Sequence, residues 1–392
     1  MPTELPSRRG PSAEVWPSFL WRNHSGEHCT PIQAQIPEKV DHLEFQLIFT
    51  ALYLFIWLCA IVGNVAVIYV VSLKQVKLSS VRSVFIVSLA MSDLVMSLTS
   101  LPITAVSIFT RDWVFPRLFC NLMGVFQGGS VFVNSFTLTS IAVDRYILIR
   151  HPAAEAISLR GAILIILLIW IVGYSFALPV GIFSSVEVFK PLCGLFCDEF
   201  WPDADDLGVS RWRKIYGIVV LLVQFGLPAV ISSLCYCSIG RIIRNQIEKR
   251  KRHQIMLQDN QERLQNRKSR SNRMMLTMVM GLVLAWLPMN LINLWRDFDD
   301  VGSSEWYSLI FALCHATAMT SAVWNPIIYS WFNPQFKQTL RSSLKARERR
   351  ITVKRQSSAR PVACCRKLSA KRQEVIPTES SRLVPKEVSQ ES

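Results

Sequence analysis

Residues 120–146 read CNLMGVFQGGSVFVNSFTLTSIAVDRY. Between Cys120 and Asp144 there is no charged residue. As a helix, the stretch from Cys120 to Arg145 rises about 37 Å at ~1.5 Å per residue. The hydrocarbon core of a bilayer is about 30 Å thick. One end of such a helix therefore places a cysteine on one side of a membrane and an Asp-Arg-Tyr triplet on the other. A buried helix of a soluble protein is the plainer reading. It fails because six further apolar segments accompany this one, so that seven spans lie near residues 45–73, 82–109, 117–149, 160–182, 212–243, 273–296 and 306–331. Each is long enough to cross a bilayer.

Working outward, the 392-residue chain is 51% hydrophobic and carries a net charge of +15. Such a charge first suggests nucleic acid. Its distribution excludes that partner, because the basic residues cluster between and after alternate apolar segments. Lys74, Lys77 and Arg82 fill the first connection, and Arg241, Arg244 and Lys249 to Arg252 open the third on that side. The intervening loops are acidic, with Glu187, Asp198, Glu199 and Asp203 in one and Asp297, Asp299 and Asp300 in another. Positive charge favours the cytosolic face, which sets the N-terminus outside and the C-terminus inside at the plasma membrane. Residues 1–40 lack an apolar core with a small-residue cleavage site, so the first helix is expected to act as an uncleaved signal anchor. No repeat of solenoid length is visible.

The expected fold is an all-α membrane protein, a seven-transmembrane-helix bundle with a short amphipathic cytosolic helix. Residues 1–44 read as an extracellular tail, 45–331 as the bundle, 332–348 as the amphipathic helix and 349–392 as a disordered basic tail. Asn333-Pro334 breaks the seventh helix. Phe336, Leu340 and Leu344 then face lipid, with Lys337, Arg341 and Lys345 towards phosphates. Asn23-His24-Ser25 matches the glycosylation sequon. Cys364 and Cys365 lie beside Arg366 and Lys367 and are candidates for palmitoylation. Cys29, Cys120, Cys193 and Cys197 fall on the oxidising side, where disulfides persist.

Some residues carry chemistry that membrane burial makes conspicuous. Asp93 is a mid-membrane carboxylate, costly unless partnered. Asn64, Asn134 and Asn325 are its expected partners. Pro288 and Pro326 each remove a backbone hydrogen bond and permit a hinge, and Trp286 lies beside the first. No nucleophile–base pair or metal cluster suggests catalysis. The absence of a second mid-membrane acid and of inverted repeats argues against an ion-coupled transporter.

The ordered set Gly63-Asn64-Val65, Leu89 to Asp93, Asp144-Arg145-Tyr146, Trp170, Pro228, Tyr236, Trp286-Leu287-Pro288 and Asn325-Pro326-Ile327-Ile328-Tyr329 resembles the rhodopsin-like (class A) G-protein-coupled receptors, over residues 45–348. The resemblance implies a heterotrimeric G protein, of the inhibitory class, engaging near Asp144, Arg145, Tyr146, Tyr236, Asn325, Pro326 and Tyr329 after the sixth helix swings. It also implies arrestin and membrane lipids as partners. An allosteric sodium ion is implied at Asp93, Asn134 and Asn325, with no other cofactor or metal. The acid that many such receptors carry at the base of the sixth helix is Lys268 here, so that restraint on Arg145 is expected to be absent. It further implies a Cys120–Cys197 bridge, with Cys193 as the competing partner and Cys29–Cys193 as a second bridge.

Gln127 stands where an aminergic receptor would carry aspartate, and the seventh helix has no lysine for a retinal Schiff base. Gln127, Asn293, Asp297 and His315, with Trp286 beneath them, are similar to the ligand set of neuropeptide Y receptors. Cys197-Asp198-Glu199-Phe200-Trp201-Pro202 resembles that family's second outer loop. The implied ligand is a peptide ending in Arg-aromatic-amide. Asp297 would pair with its arginine and Gln127 would contact its terminal amide. Short neuropeptide F, RYamide and tachykinin-like peptides are the nearer rivals. Arg296, unusual for that family, stands where it would screen Asp297.

Overall fold

The structure, a computed structural model, describes residues 29–74, 81–151, 157–205, 209–252, 259–298, 304–332, 336–343 and 345. Asn23, Asp299, Asp300, Asn333, Pro334, Cys364 and Cys365 lie outside the described residues, as does the side chain of Lys268.

Helix α1 spans Leu43–Tyr69 and closes in a π-helical turn, Val70–Lys74. Helices α2 (Val81–Thr110), α3 (Arg117–Arg150) and α4 (Leu159–Phe183) follow. Helix α5 starts at Arg211–Leu221, passes through a π-helical turn at Leu222–Gly226 and continues over Leu227–Arg252. Helix α6 covers Asp259–Phe298. Helix α7 comprises Tyr307–Met319 and Ser321–Phe332.

The sequence of each helix matches what surrounds it. Helices α1 and α4 turn large apolar side chains outward, among them Phe55, Val62, Leu164 and Ile171. Water would penalise such a belt, whereas hydrocarbon accepts it. Six helical spans are long and apolar enough to cross a membrane among the described residues, and α3 is the long helix outside that set. The reason is its position. Helix α3 packs on α2, α4, α5 and α6, and every residue from Gly129 to Ser135 is buried. Shielded by its neighbours, it can hold Ser130, Asn134, Ser135 and Thr137 without presenting them to lipid. Polar glue accompanies this packing. The Trp170 indole N–H donates to Ser88 Oγ at 3.0 Å across α4 and α2, and Ser92 donates to the Ser130 carbonyl at 2.8 Å.

Two disulfides mark one end of the bundle. Strands β1 (Ser184–Glu187) and β2 (Phe196–Glu199) form an antiparallel hairpin with Val186 opposite Cys197. Cys197 is bonded to Cys120 near the start of α3, and Cys193 in the hairpin loop is bonded to Cys29. Gly194 follows Cys193 at φ +110, a conformation that favours glycine. A Cβ there would also lie 2.8 Å from Asp112 Oδ1, the oxygen that accepts the Leu195 amide at 2.7 Å.

Residues 29–42 depart from the polar-tail reading. They form a strap fastened at three places. Thr30 exchanges backbone hydrogen bonds with the hairpin loop, its N–H to Pro191 O and its carbonyl from Cys193 N, both at 2.9 Å. Arg111 at the end of α2 pairs with Glu38 at 2.7 Å and Asp41 at 3.1 Å and donates to Ile36 O at 2.7 Å. The second Glu38 oxygen accepts the Ser308 amide at 2.9 Å, at the start of α7. Phe336 is a second correction. The amphipathic spacing turns it to lipid, but the structure buries it against Tyr329, the ring centroids 6.4 Å apart. A large aromatic next to the bundle gains more by filling that gap than by facing acyl chains, which are no less apolar.

Candidate ligand cavity and the opposite face

A cavity of about 700 Å³ opens at the disulfide end, within the usual range for ligand sites. Gln127, Trp286, Asn293, Asp297 and His315 all line it. Asn293 and Asp297 are one turn apart on α6 and share a face. Trp286 lies deeper on the same helix, buried, with its indole N–H donating to Ser321 Oγ at 3.0 Å. The spacing from 286 to 297 corresponds to about 16 Å at ~1.5 Å per residue.

Each polar group has a distinct environment. Gln127 Oε1 accepts the Ser100 hydroxyl. His315 is buried, stacked on Tyr53, with Nδ1 2.9 Å from the Tyr53 hydroxyl. The Tyr53 proton has its own acceptor, Ala312 O at 3.1 Å. Nε2 is buried and has no hydrogen-bond partner.

Asp297 is not the free acid that the ligand set implies. Its Oδ1 lies 3.0 Å from Arg213 Nε on α5 and 3.9 Å from Arg296 Nε. The nearer screen is thus a residue that sequence reasoning did not single out. The local cause is a helix cap. The Asp203 carboxylate accepts the Ser210 hydroxyl and the amides of Arg211 and Trp212 at 2.8 and 3.0 Å, and Ser210 Oγ accepts the Arg213 amide at 3.0 Å. Desolvation pushes the Asp203 carboxyl up, but these hydrogen bonds outweigh it and hold it below the usual carboxylate range. The cap starts α5 and so sets Arg213 towards α6. Gln224 is a second missed residue. The π-helical turn at Leu222–Gly226 inserts it, buried, against α3, where its side chain donates to Gly128 O at 3.1 Å. A π-helical turn leaves no plain signature in apolar periodicity.

In mid-bundle, Asp93 is fully buried and accepts Asn134 Nδ2 on one oxygen at 2.7 Å and Asn325 Nδ2 on the other at 2.9 Å. Asn64 is not a partner of Asp93. It donates to Ala60 O at 3.0 Å and Ala322 O at 2.8 Å, closing α1 on α7. The helices meet closely because residue 63 is glycine; a Cβ there would lie 2.9 Å from Pro326 Cγ. Asn64 Oδ1 and Asn134 Oδ1 are buried without hydrogen-bond partners. A carboxylate with an orphaned carboxamide oxygen nearby is an all-oxygen donor set of the kind hard cations take, and it fits a sodium ion.

At the other end, Arg145 Nη2 pairs with its neighbour Asp144 at 3.0 Å. The hydroxyls of Tyr236 and Tyr329 are buried without partners. Arg270, two residues after Lys268, donates from Nη2 to the Trp331 carbonyl at 2.8 Å. A basic residue thus fastens the base of α6 to the end of α7.

A seven-helix membrane bundle with a cavity at its disulfide end and an Asp-Arg pair at the other is the architecture of a seven-helix receptor. The chain belongs to the 7 transmembrane receptor (rhodopsin family), which matches residues 63–329; it is a multi-pass membrane protein and not an enzyme. It is 52% identical over 342 residues to Neuropeptide receptor 3 of Caenorhabditis elegans, covering 86% of this chain and 90% of that protein. Neuropeptide receptor npr-1 of the same nematode is 32% identical over 332 residues, 74% of this chain and 71% of its own. Neuropeptide Y receptor type 2 of Bos taurus is 30% identical over 328 residues, 83% and 82%.

Proposed function

We propose that this chain is a plasma-membrane receptor for a C-terminally amidated neuropeptide of the neuropeptide Y/F kind, signalling through a heterotrimeric G protein of the inhibitory class. The observation that carries the reading is the convergence of Gln127, Asn293, Asp297 and His315 on one cavity, in a chain 52% identical to a protein named Neuropeptide receptor 3. The disulfide end faces outside, where such bridges persist, and the Arg145 end faces the cytosol with the basic loops. The chemistry of the site suits the ligand. Asp297 offers a nearly desolvated carboxylate to a guanidinium, an interaction that is strong when bidentate. Gln127 Oε1 and the partnerless His315 Nε2 offer polar partners to a terminal carboxamide, which carries two N–H donors and one acceptor.

Transmission follows from differential binding of the peptide to two states of the bundle. The ligand engages α3 at Gln127 and α6 at Asn293 and Asp297. Helix α6 swings at Pro288, with Trp286 moving beneath the ligand. At the cytosolic end Arg145 leaves Asp144. The partnerless hydroxyls of Tyr236 and Tyr329 gain partners in the opened groove, which lowers the cost of opening because a buried orphan polar group is unfavourable. Asp93 and Asn134, with Asn325 beside them, would hold a sodium ion, whose charge would favour the closed state. Glycosylation at Asn23, palmitoylation at Cys364 and Cys365, and arrestin binding complete the proposal.

The test is G-protein activation in cells expressing the full chain, challenged with amidated peptides ending in Arg-Phe or Arg-Tyr and repeated with Asp297→Ala. The expected result is a response that collapses in the variant. With the chain verified at the cell surface, silence towards every amidated peptide would remove the ligand assignment.

A further inference from the structure

We infer that Arg213 is a built-in competitor for the arginine of the peptide: in the free receptor it occupies Asp297, and the arriving guanidinium must displace it. The inference rests on the proposal that Asp297 anchors the peptide arginine, and it adds what stands in the way.

Three features of the site lead here. First, Asp297 is already matched. Its side chain is 8% exposed and its Oδ1 is 3.0 Å from Arg213 Nε. A ligand cation therefore meets a neutralised carboxylate. Second, the match is imperfect. Neither Asp297 Oδ1 nor Arg213 Nη2 has an aligned hydrogen bond. The pair is a one-point charge contact without the parallel two-bond geometry that makes guanidinium–carboxylate pairs strong. An incoming guanidinium free to adopt that geometry outcompetes it. Third, Arg213 has other acid partners. Glu199 Oε2 lies 3.8 Å and Asp198 Oδ1 3.9 Å from it, both on β2. Arg213 already contacts these two acids, so displacement gives up one of three acid contacts, keeps the other two and leaves no cation stranded.

The other cations near Asp297 stand farther off. Arg296 is 3.9 Å from the same oxygen. The Lys214 ammonium lies over the Phe298 ring, 5.0 Å from its centroid. Arg213 is thus the cation in direct contact. Because it is held on α5 and its remaining acid partners are on the β1–β2 hairpin, the exchange also links ligand arrival to that hairpin. A ligand without a positive charge leaves the internal pair intact and gains nothing from its removal.

The experiment uses twin peptides on the full chain, one ending in Arg-Phe-amide and one with citrulline replacing that arginine. Citrulline keeps the shape and removes the charge. Competition binding is measured on wild type, Arg213→Gln and Asp297→Asn, with surface expression measured alongside. Removing the competitor should tighten the arginine peptide by about two- to fivefold, the span expected for a partly screened ion pair, and leave the citrulline twin unchanged. Arg213→Lys, which retains charge without the planar fork, should fall between and carries the test if Arg213→Gln does not reach the surface. Weaker binding of the arginine peptide in Arg213→Gln, or an equal gain for both twins, would overturn the inference while leaving Asp297 as anchor. An arginine-to-citrulline ratio unchanged by Asp297→Asn would overturn the anchor itself, and this inference with it.

Discussion

Arg111 is a residue whose removal should be costly to this fold. It sits at φ 51, a left-handed conformation that costs a non-glycine residue about 1–2 kcal/mol. The chain accepts that strain because the turn aims the guanidinium at Glu38, Asp41 and the Ile36 carbonyl at once. Arg111 and Glu38 side chains are each 8% exposed. Removing one partner of a buried pair leaves an uncompensated charge and typically costs about 3–5 kcal/mol. Here Glu38 keeps the Ser308 amide and Asp41 is 20% exposed, so Arg111→Ala should cost about 2–4 kcal/mol by the same reasoning. Arg111→Gly loses the same contacts but relieves the backbone, and should be less destabilised by about 1 kcal/mol. The assay is thermal unfolding of the purified full chain in detergent, combined with a double-mutant cycle against Glu38→Gln. Coupling should lie at about 1–3 kcal/mol. A melting temperature for Arg111→Ala equal to wild type, or additive effects in the cycle, would refute the claim that this ion cluster holds the strap. Equal melting of the Ala and Gly variants would refute the strain argument separately.

Three other outcomes follow from the geometry. Cys29→Ser and Cys193→Ser should lower the melting temperature equally, and the double variant should add nothing; Cys120→Ser or Cys197→Ser should in addition abolish agonist binding at the surface, since that bridge holds the hairpin at the cavity. Asp203 has its carboxyl depressed in the fold, so its contribution is complete above the unfolded value of about 3.9 and is lost as pH falls through the lower folded value. The gap in melting temperature between wild type and Asp203→Ala should therefore stay constant from neutral pH to about 5 and close below about 4. Agonist affinity measured in sodium against potassium should differ in wild type, sodium weakening it, and become insensitive in Asp93→Asn; an unchanged difference would remove the ion from Asp93.

What the sequence made legible is what membrane physics writes as a pattern. Long uncharged runs gave the helices, and Asp93 declared itself because a lone carboxylate in hydrocarbon needs partners. Asn134 and Asn325 were readable as those partners. Asn64 was not separable from them, since its turn towards Ala60 and Ala322 depends on how closely Gly63 lets α1 approach Pro326. Phe336 was misread for a related reason: helical spacing gives the stripe a side chain belongs to, not whether a gap beside Tyr329 awaits it. The strap was illegible because Glu38 and Arg111 are far apart in the chain and each, alone, is an ordinary charged residue near a helix end.

The same blindness explains Asp297 and shows why charge at the disulfide end cannot be read one residue at a time. Counting acids in the outer loops suggests an attractive, unpaired surface for a cationic peptide. In the fold several acids at this end already have cations: Glu38 and Asp41 hold Arg111, Glu305 holds Lys39 at 3.3 Å, and Asp297 holds Arg213. The pairs differ in quality. The Arg111 cluster is buried, hydrogen-bonded and tied to three chain segments, so exchanging it would unfasten the strap. The Arg213–Asp297 pair lacks an aligned hydrogen bond at Oδ1 and faces the cavity, and Arg213 keeps Glu199 and Asp198 beside it when Asp297 is given up. A ligand can shift an equilibrium only where its differential affinity exceeds what it must break. Of these contacts Arg213–Asp297 is the one a guanidinium can take over without dismantling the disulfide end, and the ligand's positive charge acts there rather than on the acidic surface as a whole.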